Sequence, residues 1–224
     1  MADKNSAGRI KVLIAYLLLF GPAFLLIFIS TRGCNHNFKT LEDFGKEIDY
    51  SFVDARGKYY TAANFKGDIV IVTTLQQSCP DSCAVSFWRL DQLIYQHIRK
   101  NKHKKMKRVR ILSFATDLDG KPLDNLSAIQ QMLQDQVEGY DPDIWILAKG
   151  DGRKMYDFTR NNETLLKEGP NYFGGQAFME LMLLLDKKNH LRMVLSGSSE
   201  GMIRRMKEHI ALLQKQYDKE AAEQ

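Results

Sequence analysis

The chain has 224 residues, 26% charged and 44% hydrophobic, which is enough for one domain with a sizeable core plus an appendage and excludes a disordered or collagen-like chain. The formal charge of +5 comes largely from one run, NKHKKMKR at 101–108, with no aromatic residue interleaved. A nucleic-acid footprint is therefore not indicated, and the run reads as a solvated loop between a helix and a strand. Three cysteines, at 34, 79 and 83, exclude a disulfide-rich scaffold and a four-cysteine zinc site.

In chain order, residues 1–11 carry Lys4, Arg9 and Lys11. Then VLIAYLLLFGPAFLLIFI, eighteen residues from Val12 to Ile29, contains no charge. This run approaches the roughly 20 residues that cross a bilayer as a helix, so a transmembrane helix is expected over 12–30. Gly21 and Pro22 are tolerable inside it. The cationic excess before the run predicts a cytoplasmic N-terminus and places the rest of the chain outside the cytoplasm, as a single-pass inner-membrane protein with a periplasmic domain. A cleaved signal peptide fits less well, because the apolar run is long and Arg32 interrupts its exit. Cys34 after Gly33 raises lipidation as an alternative.

Residues 31–47 read as a linker, 48–217 as the domain and 218–224 as a tail. DYSFVDARGKYYT alternates apolar residues around a turn carrying Asp54 and Gly57, the pattern of a hairpin. Ile69 to Thr74 forms a buried strand. Downstream, Val85, Trp88, Leu93, Ile94 and Ile98 fall at helical intervals. VRILSFATD gives a second buried strand, Ser127 to Val137 a helix, and DIWILA a third strand. LMLLLD and LRMVLSG, separated by KKNH, form a hairpin. The last helix is capped by Ser198 or Ser199, with Met202, Ile203, Met206, Ile210 and Leu213 along one side. Strand, helix, strand, helix, strand, hairpin, helix predicts an α/β fold, a thioredoxin-like central sheet flanked by helices.

QQSCPDSCAVSFW, residues 76–88, puts Cys79 and Cys83 at the junction of the first buried strand and its helix. Backbone N–H groups and the helix dipole there stabilise an anion and lower a thiol pKa from about 8.5 toward neutrality, which favours Cys79 as the thiolate. Side chains at i and i+4 of a helix stand about 5–6 Å apart at Cβ, whereas a disulfide wants about 3.5–4.5 Å. Closure therefore requires Cys79 in the loop or first turn. Two soft thiolates also suit Cu(I), and spacing alone does not choose between the two chemistries. ATDLDG, with Asp117 and Asp119, lacks the downstream glutamate of a calcium loop and reads as a turn.

The N-terminal span, the FKGDIVIV strand entry, the CPDSC motif and the SFATDLD segment together resemble the Sco/SenC family, membrane-anchored thioredoxin-like factors in the assembly of the cytochrome oxidase copper centre. The resemblance covers most of residues 40–217 and departs at Ala84, where the family usually has proline. It implies copper held by Cys79 and Cys83 with a distal histidine. The family spacing, counted back from Asp186, puts that position near Phe178 in QAFMEL, and no histidine is there. The five histidines are His36, His97, His103, His190 and His209. His190 belongs to the hairpin turn, at the far end from the cysteine loop, and His36 sits in the lead beside Cys34. Met179 and Met182 are candidate thioethers, with Met182 expected in the core.

Without the histidine, Cu(I) on two sulfurs remains reasonable while Cu(II) binding weakens. Three functions follow. The first is copper handling with the copper-bearing oxidase subunit as partner. The second is an extracytoplasmic thiol–disulfide oxidoreductase acting on a thiol–disulfide partner protein, which alone would make the chain an enzyme. The third is an interaction module whose cysteines staple a loop.

Overall fold

Period-two alternation along the strands builds the sheet and sorts its side chains onto two faces. The computed structural model describes residues 4–33, 41–44, 47–76, 81–104, 106–117, 120–156, 159–160, 163–164, 181–197 and 199–222. The chain divides into two units, Met1–Lys39 and Thr40–Gln224.

The first unit contains α1, Lys4–Gly33, with Pro22 inside it. Its described side chains between Ile14 and Phe28 are almost all exposed and largely apolar. Among the described residues no helix is long and apolar enough to cross a membrane; the uncharged run read from the sequence begins before Ile14 and ends after Phe28.

The second unit opens with the expected hairpin, β1 Ser51–Asp54 and β2 Tyr59–Thr61. Gly57, at φ +82°, supplies the left-handed turn residue, and the Asp54 carboxylate accepts from the backbone N–H groups of Arg56 and Lys58 at 2.9 and 2.8 Å. A 3-10 turn, Ala62–Phe65, leads to β3, Ile69–Gln76, buried at every position. Then come α2 Asp81–Arg89, a π-helical segment Leu90–Tyr95, α3 Gln96–Asn101 and β4 Val109–Thr116. α4 Ser127–Gln136, β5 Trp145–Lys149 and a second 3-10 turn, Gly152–Tyr156, follow. A two-residue pair, β6 Thr159–Arg160 and β7 Glu163–Thr164, forms a separate ribbon. The hairpin β8 Leu181–Leu185 and β9 Leu191–Ser196 and the helix α5 Glu200–Ala222 complete the chain.

The main sheet has seven strands in the order β2-β1-β5-β4-β3-β8-β9. β3, β4 and β5 are parallel, and β8 runs antiparallel to β3. Crossover helices join the parallel strands, and a ββα unit ends the chain, which is a thioredoxin-like arrangement. Ile69, Ile71, Ile111, Trp145, Leu147 and Leu184 face one cluster, with Ile94, Ile98, Leu133, Ile203, Met206 and Ile210 from the helices. Val70, Val72, Leu112, Phe114, Ile146 and Leu183 face the other, with Ile48, Phe65, Met155 and Tyr156. Among the described residues the helices thus cover one face, together with Leu41, while Phe44, Ile48, Tyr50 and the two 3-10 turns cover the other.

Three sequence expectations are refined. Val85 and Trp88 do not lie on the buried stripe; they are 44% and 60% exposed. The π segment changes the angular step along the helix, so the stripe runs through Leu90, Ile94, Tyr95 and Ile98 instead. Met202 lies at the edge of the α5 face, partly exposed. Leu41 to Phe44, read as linker, pack with the domain: Arg192 donates from Nη2 to the Leu41 carbonyl at 2.6 Å and from Nε to the Glu42 carbonyl at 2.9 Å.

Candidate functional site

The C-terminal ends of parallel strands and the N-termini of the helices that follow them form the usual crevice of an open α/β sheet. Here the ends of β3 and β4, at Gln76 and Thr116, are paired in register. Leu181 pairs with Ser196, and the direction of β8 brings its first residues to the same end. The chain leaves β3 at Gln76 toward Cys79 and enters α2 at Asp81. Cys79 lies outside the described residues; Cys83 is on α2, and its side chain lies outside them too. Cys34, His36, Asp119, Phe178, Met179 and Ser198 also lie outside the described residues.

The floor beneath this junction is polar and paired. Thr73 Oγ1 and Ser113 Oγ are 2.6 Å apart, and Trp145 Nε1 donates to Ser113 Oγ at 2.8 Å. On the opposite face Gln76 Nε2 donates to Thr74 Oγ1 at 3.2 Å and Thr116 Oγ1 at 3.5 Å. Buried donors with partners hold the strand ends in one geometry. These hydroxyls and the amide went unremarked in the sequence, where Thr73, Thr74 and Ser113 read as members of buried strands; a polar residue inside an apolar run was their only signal. Asp117 forms the expected turn, its carboxylate accepting from Lys121 N at 2.8 Å.

Beside the junction lies a cavity of about 390 Å³ lined by Thr73 to Gln76, by Ala84 and Phe87 on α2, and by Met182 among others. Met182 is buried in β8 and belongs to the core cluster, as expected. The described histidines stand elsewhere. His190 occupies the β8–β9 turn at the opposite end of the sheet, its Nδ1 3.2 Å from Asp43 Oδ2. His209 on α5 shares Nδ1 with the Arg205 carbonyl. His97 on α3 titrates below its ordinary value because burial, and then the nearby Lys207, disfavour its charged form. Asp43, Asp186 and His190 bring three potential ligand atoms together, but Arg192 Nη1 stands 3.0 Å from Asp186 Oδ2 and 3.8 Å from Asp43 Oδ2. A guanidinium already neutralises that cluster.

The class defined by this sheet order is a thioredoxin-like α/β domain. Among solved structures it is similar to BsSco, described as a member of the Sco family of cytochrome c oxidase assembly proteins that contains a disulfide switch: TM-score 0.53, 13% identity, 79% of this chain and 98% of that one. Further similar structures are yeast Sco1 with copper bound (TM-score 0.48, 17% identity, 73% and 87% of the two chains), and a SCO1/SenC family lipoprotein from Bacillus anthracis (0.46, 19%, 77% and 95%). No protein-family model and no curated protein matches the sequence. The similarity to BsSco shows the fold alone.

Proposed function

We propose that this chain is a membrane-anchored Sco-like protein that carries copper as cargo and takes part in assembling the cytochrome oxidase copper centre through Cys79 and Cys83. The observation that carries the reading is the CPDSC stretch, running from the end of β3 into α2 in a domain whose fold is similar to that of BsSco. The two thiolates hold Cu(I), and an apo-oxidase subunit takes it by successive exchange of sulfur ligands, with no change in oxidation state. The first turn of α2 stabilises the thiolate form of Cys79. Full chain in micelles, reduced and given Cu(I) against a competing chelator, tests this. Wild type retains the metal and Cys79→Ser and Cys83→Ser lose it; equal affinity in all three ends the copper reading.

A second reading, a thiol–disulfide oxidoreductase, is favoured by the lack of a histidine near Phe178, where the family spacing puts one. In it the Cys79 thiolate attacks a target disulfide and expels one target sulfur as thiolate. Cys83 then attacks the mixed disulfide, so the target is reduced as the pair is oxidised. The anchor is the uncharged run from Val12 to Ile29, with Lys4, Arg9 and Lys11 on the cytoplasmic side. Alkaline extraction of membranes leaves the full chain in the pellet and releases a chain lacking residues 1–30; release of both removes the anchor from the account.

A further inference from the structure

The cavity at the end of β3 has a feature that neither copper handling nor disulfide exchange uses. Its walls are apolar and aromatic, including Leu75, Phe87, Trp88, Leu90 and Met132. Set among them is Asp91, only 4% exposed. Its carboxylate accepts from Gln92 Nε2 at 2.7 Å and from Gln96 Nε2 at 2.8 Å. Both donors are neutral carboxamides, and no ion pair within the described residues includes Asp91. A carboxylate withdrawn from water and met only by neutral donors retains a strong preference for a cation. Trp88, 60% exposed in the same wall, offers an aromatic face, which attracts one.

We propose that this cavity receives a lysine or arginine side chain presented by a partner polypeptide. The charged head meets Asp91, and the aliphatic stem lies along Phe87, Trp88 and Leu90. The carboxamides of Gln92 and Gln136 in the same lining supply acceptor oxygens for the remaining N–H groups. A polypeptide fits better than a free amine, because Ala84 and Val85 continue an exposed apolar strip along α2 on which the residues flanking the basic one find contact. The occupant's chain would then pass close to Cys83 in sequence, and only this consequence rests on the function assigned to the cysteines.

The test is a titration of the full chain in micelles with three blocked peptides, acetyl-Leu-Lys-Leu-amide and its norleucine and glutamate counterparts, followed by tryptophan fluorescence and calorimetry. Trp88 is the reporter, since Trp145 is fully buried. The lysine peptide saturates, and the norleucine and glutamate peptides bind at least tenfold more weakly. In Asp91→Asn the lysine peptide falls to the level of the norleucine one. Equal binding of the three peptides to wild type, or binding of none, overturns the proposal without recourse to any variant. Cys79→Ser leaves peptide binding unchanged, so a failed copper experiment and a failed peptide experiment are told apart.

Discussion

Ser113 carries more than its size suggests. Its buried hydroxyl sits 2.6 Å from Thr73 Oγ1 and accepts the Trp145 indole N–H at 2.8 Å. Ser113→Ala strands both partners, and a buried group without its hydrogen bond costs about 1–3 kcal/mol. The urea midpoint should fall accordingly with the slope unchanged. At the opposite end Asp141 closes the turn before β5. Burial raises its carboxyl, but bonds from Lys102 Nζ and the Asp143 backbone N–H, each 3.0 Å, outweigh burial and hold it below the ordinary carboxylate range. A group lowered on folding stabilises above its unfolded value, about 3.9, and that contribution is lost as pH falls through the folded one. Asp141→Asn should therefore cost about 1 kcal/mol at neutral pH, discounted for solvent, with the gap to wild type closing below about pH 3; a gap constant from pH 7 to 3 contradicts the assignment.

The elements were legible wherever pattern alone decides them. β3 and β4 are continuous β-branched and apolar runs that nothing but a central strand accommodates, and KKNH marked the β8–β9 turn. There Asn189, at φ +60°, takes the left-handed position, and Asp186 Oδ1 accepts from Lys188 N and His190 N at 2.8 and 3.0 Å. Two things were not legible. The π segment changes the helical step without any change in residue type, so the spacing groups Trp88 with Leu93, Ile94 and Ile98 although it is exposed. The leader docks through contacts made only in three dimensions: Arg192 joins Asp186 to the carbonyls of Leu41 and Glu42 across a wide sequence gap. Arg192→Met leaves Asp186 buried without its cation, which costs about 3 kcal/mol. It also speeds hydrogen exchange at Phe44, whose N–H bonds the Leu191 carbonyl at 3.2 Å, while α4 stays protected. Uniform exchange changes across the domain would show that Arg192 does not act locally.

For the molecule as a whole, the α/β order was legible because β3, β4 and β5 are joined by local strand–helix–strand units. The leader and the β8–β9 turn with His190 gather at one end of the sheet, and the strand ends leading to the cysteine loop gather at the other. The chemistry of the cysteine pair was less legible, because paired cysteines serve metal and disulfide chemistry alike and only a third ligand separates them. Both readings depend on two thiols that meet and can be reached. Alkylating the reduced full chain under native conditions, before and after mild oxidation, and mapping the peptides by mass tests this directly. Both Cys79 and Cys83 should label when reduced, and after oxidation they should be joined to each other within one chain. Protection of either thiol from the reagent, or a crosslink to Cys34 in place of the pair, would contradict the account.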